Sequence, residues 1–404
     1  MHSSVIVIAM AGCSTFVRCL PGWCLQYQAP SVRVGKDMPM NTPGKEMVQA
    51  TTYTLAQRMA ALEQVGRVMA ALGAARPWPG HASGLAEVEY NDLDHAVREA
   101  RIANGWATEE NVRHAFSAWA KALQAESLAT WLSAYPALEQ PRAVVKTVGL
   151  ILAGNVPLVG LHDVLCVWLS GHRARVKCSS QEPALIPALL KVLDTFLPGT
   201  MEQVVFTSEK LGAVDAVIAT GSNNTARYFH HYFGQLPRIV RKSRVSVAVL
   251  DGSETEEELA ALAEDVFRYY GLGCRNVSKV YVPQDFDLDR IFGAFFPWKD
   301  IVHHNKYGNN YDYTRALWML DGVPFLENGF VLFREDKALP SPAATLHYER
   351  YSDIAKVEAE LIAQADGIQC LVGRGKVPFG TTQFPALWEY ADGVDTLEFL
   401  LNEI

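Results

Sequence analysis

Cys274 closes the run Gly271-Leu272-Gly273-Cys274, and this is a setting in which a thiol can act as a nucleophile. Glycines one and three residues before it let backbone approach closely and leave amide N–H groups free beside the sulfur. Such donors lower a thiol pKa and stabilise the oxyanion that forms when a thiolate attacks a carbonyl. A buried structural cysteine at a tight turn fits the same local pattern equally well. Asn155 lies in Ala153-Gly154-Asn155-Val156-Pro157, at the end of an apolar run and before a helical one. Its side-chain amide is placed either to donate to a developing oxyanion or to cap the helix. Gly221-Ser222 joins the run DAVIAT to NNTARYF. A strand, a glycine turn and a helix N-terminus together suit a phosphate. An ordinary turn between strand and helix reads the same way.

Other titratable groups say less. His162 and Asp163 follow Asn155 on the helical run, His162 about two turns further on a similar face. His230–His231 and His303–His304 have no carboxylates at ligand spacing, so no metal is expected. The seven cysteines (13, 19, 24, 166, 178, 274 and 370) contain no C-x-x-C pair and form no disulfide framework, which points to reduced thiols in a cytoplasmic protein.

The elements that must position these residues follow from periodicity. Helical spacing predicts helices over 51–72, 88–101 and 109–133, with Trp119, Leu123, Leu128 and Trp131 as core. Strands are then expected at 144–153, 174–177, 203–207, 215–220 and 245–250, alternating with helices over 158–169, 183–196 and 223–233. That alternation is the mark of βαβ units and a parallel sheet. An acidic helix over 255–270 precedes the cysteine and a strand at 277–282, and further strands fit 330–333, 345–348 and 367–372. Helices fit 286–296 and 353–365.

The balance of 36 Lys+Arg against 44 Asp+Glu leaves a net charge of −8, with 49% hydrophobic and 20% charged residues. This is an ordinary globular composition; no basic stripe suits nucleic acid, and no apolar run is long enough to span a membrane. Residues 1–46 carry poor signal-peptide flanks and a polar stretch with Pro39, Pro43 and Gly44. They are expected to lie outside the fold, with the functional chain starting near Met40 or Met47. Residues 47–250 are assigned to the N-terminal helices and a cofactor domain, 251–375 to a catalytic domain, and 376–404 to a C-terminal segment that reaches a partner subunit.

In order, AGNVPLVGLHDVLCVWLSGH, TGSNNTARYF and FRYYGLGCRNVSKVYVP resemble the aldehyde dehydrogenase superfamily, in particular its acyl-CoA reductase branch, which includes the fatty-acid reductase subunit of bacterial bioluminescence. The resemblance runs from about Val144 to the C-terminus. It implies an α/β fold: a parallel-sheet Rossmann-type cofactor domain, a second α/β catalytic domain and a C-terminal oligomerisation segment. It implies Cys274 as the nucleophile and Asn155 as the oxyanion asparagine. Lys177, with Ser179 and Ser180 in the turn after it, matches the lysine that holds the adenosine ribose, and Gly221 and Ser222 match the pair under the cofactor pyrophosphate. Pro378-Phe379-Gly380 resembles the family's late segment.

Two departures stand out. Oxidising members carry a water-activating Glu where this chain has Val240-Arg241-Lys242-Ser243, and the Glu-x-Phe-Gly-Pro segment is unmatched. The resemblance therefore implies reduction of an acyl-CoA or acyl-protein thioester to the aldehyde through a cysteine acyl-enzyme. NADPH is the expected cofactor, because Ser180 stands where the family often has a Glu on the ribose. A homo-oligomer and an acyl-protein synthetase partner are further implications. The rivals are an aldehyde-oxidising dehydrogenase, a glutamyl-phosphate-type reductase and a non-catalytic nucleotide-binding subunit.

Overall fold

A computed structural model of the chain describes residues 53–404; the expectations for residues 1–46 lie outside the described residues. The first sheet holds β1 (Thr147–Ile151), β2 (Arg173–Lys177), β3 (Val204–Phe206), β4 (Ala216–Thr220) and β5 (Arg238–Arg241). All pair in parallel, in the order β3-β2-β1-β4-β5. The inner strands β1 and β4 read TVGLI and AVIAT, the near-continuous apolar runs that a sheet covered on both faces requires. From β1 the chain builds outward through β2 and β3, then returns to β4 on the other side. Strand order thus reverses between β1 and β4, and a crevice opens at their carboxyl ends.

The second sheet holds β6 (Val245–Val249), β7 (Val277–Pro283), β8 (Leu326–Glu327), β9 (Leu332–Glu335), β10 (Thr345–Tyr351) and β11 (Ile368–Val372). Its order is β11-β6-β7-β10-β9-β8, parallel except for β8 against β9. Because β6 pairs with β7 and β11, the chain leaves the first sheet between Arg241 and Val245. The boundary expected at residue 250 therefore moves to the start of β6. No helix among the described residues is long and apolar enough to cross a membrane.

Among the described residues, four α-helices precede β1: Leu55–Gly73, Glu87–Ala103, Glu109–Ala122 and Ala125–Leu132. The first is closed by a capping box, with Gln57 N–H donating to Thr54 Oγ1 (3.2 Å) and Thr54 N–H to Gln57 Oε1 (2.9 Å). The single helix expected over 109–133 is two, broken at Leu123-Gln124; Leu123, Leu128 and Trp131 are core, while Trp119 is only partly buried. The C-terminal segment packs in part on its own chain. Tyr390, Leu397, Phe399 and Leu400 join the core formed by the N-terminal helices and the first sheet. Arg142 donates to the carbonyls of Leu400 and Leu401 (both 3.2 Å), and Trp131 Nε1 donates to Tyr390 OH (2.8 Å).

Candidate active site

A cleft of about 790 Å³ lies between the carboxyl ends of the first sheet and the cysteine loop of the second. Cys274, Asn155, Gly221, Ser222 and Ser179 all line it. Lys177 ends β2 and Ser180 is exposed on the turn that follows; neither belongs to the lining.

The cysteine loop is built from unusual backbone. Tyr269, Tyr270 and Gly271 take three consecutive left-handed conformations (φ 54°, 60° and 74°), a costly run for two tyrosines that the surroundings must enforce. Asn276 does much of this. Its Oδ1 accepts Gly273 N–H (2.8 Å), and its Nδ2 donates to the carbonyls of Asp265 (3.0 Å) and Arg268 (2.8 Å). Gly273 N–H is therefore engaged, where free amide N–H groups were expected beside the sulfur. Burial pushes the Cys274 thiol up, with neighbouring Arg275 opposing and the Cys274 backbone N–H lowering it only slightly. A lowered thiol pKa was the expectation; desolvation of a sulfur inside a closed loop reverses its sign.

Asn155 spans the cleft. Its Nδ2 donates to Leu272 O (2.8 Å), two residues before the cysteine, so the oxyanion candidate and the nucleophile candidate are tied together from different sheets. An amide nitrogen carries two hydrogens, and the bond to Leu272 uses one of them. The Asn155 turn packs closely on the turn after β2. A Cβ on Gly154 would stand 2.7 Å from Ser179 Cβ, so only glycine permits this approach.

Arg241, in the Val240–Ser243 stretch, points inward. It is buried, with Nη2 on Asp163 Oδ1 (2.7 Å) and on Thr396 Oγ1 (2.8 Å), and Nη1 on Ala391 O (2.5 Å). Burial opposes ionisation of Asp163, but the Arg241 guanidinium outweighs it and holds the carboxyl below its usual range. His162 also lies at the cleft, its Nε2 on Leu387 O (2.8 Å) and its Nδ1 near Cys166 Sγ (3.5 Å); burial keeps it neutral.

The segment after Pro378-Phe379-Gly380 forms the outer wall, a place in the cleft that sequence reasoning did not give it. Asp265 anchors it, accepting from Gly380 N–H (2.7 Å), Thr382 N–H (3.0 Å) and Thr382 Oγ1 (2.8 Å). Arg275 donates to Glu389 O (3.3 Å), and Arg244 pairs with Asp392 (3.1 Å). Opposite stands an apolar wall of Ala115, Ala118, Trp119 and Ala122 on the helix Glu109–Ala122, with Val156 and Leu387. The apolar lining thus comes largely from an N-terminal helix. Among the described residues no cluster of three or more His, Cys, Asp or Glu could hold a metal, and Cys166, Cys178, Cys274 and Cys370 are free thiols.

Comparison with known proteins agrees with this architecture. The chain is similar in structure to aldehyde dehydrogenase 21 from Physcomitrella patens, solved with the reaction product succinate (TM-score 0.56, 12% identity, covering 80% of this chain and 74% of that one). It is also similar to HpcC from Thermus thermophilus (0.54, 13%, 80% and 70%) and to an NADP-dependent enzyme from E. coli (0.52, 16%, 80% and 73%). At such identities the likeness is one of fold, and that fold is the aldehyde dehydrogenase fold. Residues 124–290 match the family model "Acyl-CoA reductase (LuxC)". The chain therefore has the aldehyde dehydrogenase fold, and its residues 124–290 are similar to the LuxC acyl-CoA reductase family. No curated protein matches it.

Proposed function

We propose that this protein reduces an acyl-CoA or acyl-protein thioester to the aldehyde, using NADPH and a covalent acyl-enzyme on Cys274. The observation that carries the reading is the state of the acids around the cysteine. Asp163, Glu389 and Asp392 are the carboxylates in the cleft lining. Asp163 is bound by Arg241, Glu389 accepts Ala386 N–H (2.7 Å), and Asp392 is paired with Arg244. Two of the three are ion-paired with arginines and the third is tied to the backbone through one oxygen, which supports reduction over aldehyde oxidation.

In the acylation step the Cys274 thiolate forms a C–S bond to the thioester carbonyl carbon, and the carbonyl electrons move onto oxygen. The second N–H of Asn155 and the Cys274 N–H are the donors for that oxyanion. The oxyanion then collapses, the original C–S bond breaks, and the thiol of CoA or the carrier leaves with a proton. The apolar wall around Ala118 suits a long acyl chain.

The residues present fit a dinucleotide. The cleft opens at the switch point between β1 and β4, and the helix Asn223–Tyr232 directs its N-terminus there. Gly221 packs so closely that a Cβ would lie 3.0 Å from Thr225 Cβ. Gly221, Ser222 and Ser179 would hold the pyrophosphate side, and Lys177 and Ser180 the adenosine ribose. A reduced nicotinamide bound in this cleft supplies the hydride that converts the acyl-enzyme to aldehyde. NADPH is favoured because Ser180 and Lys177 offer a 2′-phosphate a hydroxyl and an ammonium. Glu182, the nearby acid that would oppose it, is buried and bonded inward. Assembly into a homo-oligomer and capture of acyl groups from an acyl-protein synthetase belong to the same proposal, on the strength of the family resemblance.

The test is incubation of purified protein with long-chain acyl-CoA and NADPH. Aldehyde formed in proportion to NADPH consumed is the expected result. Free fatty acid with no NADPH consumption would overturn the reading.

A further inference from the structure

The Asn155 turn is held from behind by two buried polar side chains that no step of the chemistry uses. Both carboxylate oxygens of Glu182 accept the single N–H of Leu158 (3.1 and 3.0 Å). Leu158 is a non-glycine residue in the left-handed region (φ 60°), and its side chain is wholly buried. A conformation of that kind persists only where its surroundings over-determine it. At the other end of the turn, Asn104 Nδ2 donates to Gly154 O (3.0 Å), while its Oδ1 accepts Trp106 N–H (3.1 Å). Asn104 and Glu182 are 4% and 7% exposed, so solvent does not compete strongly for either. Asn155 lies between these two anchors, and its side chain alone reaches across to Leu272.

We propose that Glu182 is a positioning residue: by fixing Leu158 in its left-handed conformation it aims the Asn155 amide at the reacting carbonyl, with Asn104 anchoring the opposite end of the turn. This rests on the reading of Asn155 as an oxyanion donor. A carboxyl group is suited to the task because its two oxygens flank one N–H and hold it in a fixed direction, whereas a shorter or apolar side chain leaves that buried N–H unpaired. Glu182 acts through Asn155 and touches no substrate.

The experiment compares Glu182→Ala, Glu182→Gln, Asn155→Ala and the double variant Glu182→Ala/Asn155→Ala in the full chain. It measures amide hydrogen exchange across residues 153–160, and kcat and KM with long-chain acyl-CoA. Glu182→Ala should speed exchange in that peptide at least about tenfold and lower kcat by about 10–10²-fold, with KM within about threefold of wild type. Glu182→Gln keeps an oxygen acceptor for Leu158 and should restore most of both. The double variant should be no slower than Asn155→Ala alone, because the second change removes what the first only displaces. Unchanged exchange in Glu182→Ala, or losses that multiply in the double variant, would overturn the proposal. Exchange needs no substrate, so a wild-type protein that makes no aldehyde would sink the functional reading while this arm still decides the positioning role.

Discussion

The turn after β1 and the turn after β2 are neighbours in the cleft, yet they are built in opposite ways. Residues 154–158 are gripped by buried groups: Asn104 on one carbonyl, Glu182 on one N–H, and a glycine where no Cβ fits. Residues 178–181 are held by local bonds, such as Gln181 N–H to Ser179 Oγ (3.2 Å), and Ser180 and Gln181 are exposed. Rigidity is concentrated where a donor must meet a developing charge. In the turn assigned to the cofactor ribose Ser180 and Gln181 are open to solvent, so these two side chains can change without disturbing the core. Substitutions in the first turn should therefore alter rate, and substitutions in the second should alter cofactor choice alone.

The largest effect is expected at Asn155. Asn155→Ala should lower kcat by about 10²–10³-fold, the usual cost of one lost oxyanion donor, with little change in KM. A loss under about threefold would remove Asn155 from the chemistry. In the second turn, Ser180→Glu should shift the NADPH to NADH ratio of kcat/KM by about tenfold or more, with Tm unchanged. If wild type favours NADH, or the ratio does not move, the ribose assignment fails.

The thiol sharpens the comparison from the other side of the cleft. Because burial raises the Cys274 pKa, its alkylation by iodoacetamide should climb by up to about tenfold per pH unit from pH 7 to 9, as the thiolate fraction grows. A plateau below pH 8 would show a lowered pKa instead.

The smallest effect concerns the helix that leads into the cysteine loop. Burial raises the Glu264 pKa, but bonds from His114 and Arg268 outweigh it and bring the group down from 4.5 to about 2. The unfolded chain then binds the proton more readily, so this stabilisation is present above pH 4.5 and lost as pH falls toward 2. Glu264→Gln should lower Tm by a few degrees at pH 7 and by less at pH 3. Equal shifts at both pH values would contradict the assignment.

Much of this was legible in the sequence. The runs at Thr147–Ile151 and Ala216–Thr220 announce buried parallel strands, and the motifs around Asn155, Gly221 and Cys274 lie on one cleft as their order implied. β5 was not legible, because its four residues begin and end in arginine and its buried Arg241 draws a partner from the helix Leu161–Leu169. The helix Asn305–Leu320 was missed because its buried stripe, Tyr307, Tyr311, Thr314 and Trp318, carries polar groups and is blurred by exposed apolar residues such as Tyr313 and Leu320. Glu182 stands two residues from Ser180 in the sequence. Its burial beneath the Asn155 turn is a tertiary fact that no local spacing encodes. The role of residues 380–392 as a cleft wall depends likewise on Asp265 and Arg275, more than 100 residues earlier.

The central claim is the covalent intermediate. Protein incubated with acyl-CoA labelled in the acyl group, without NADPH, then denatured and digested, tests it most directly. Label should stay on the peptide containing Cys274, persist for many turnover times, vanish on later addition of NADPH as aldehyde appears, and be absent from Cys274→Ala. Label on Cys166 or Cys178, label surviving in Cys274→Ala, or rapid release of free fatty acid before NADPH is added would contradict the account.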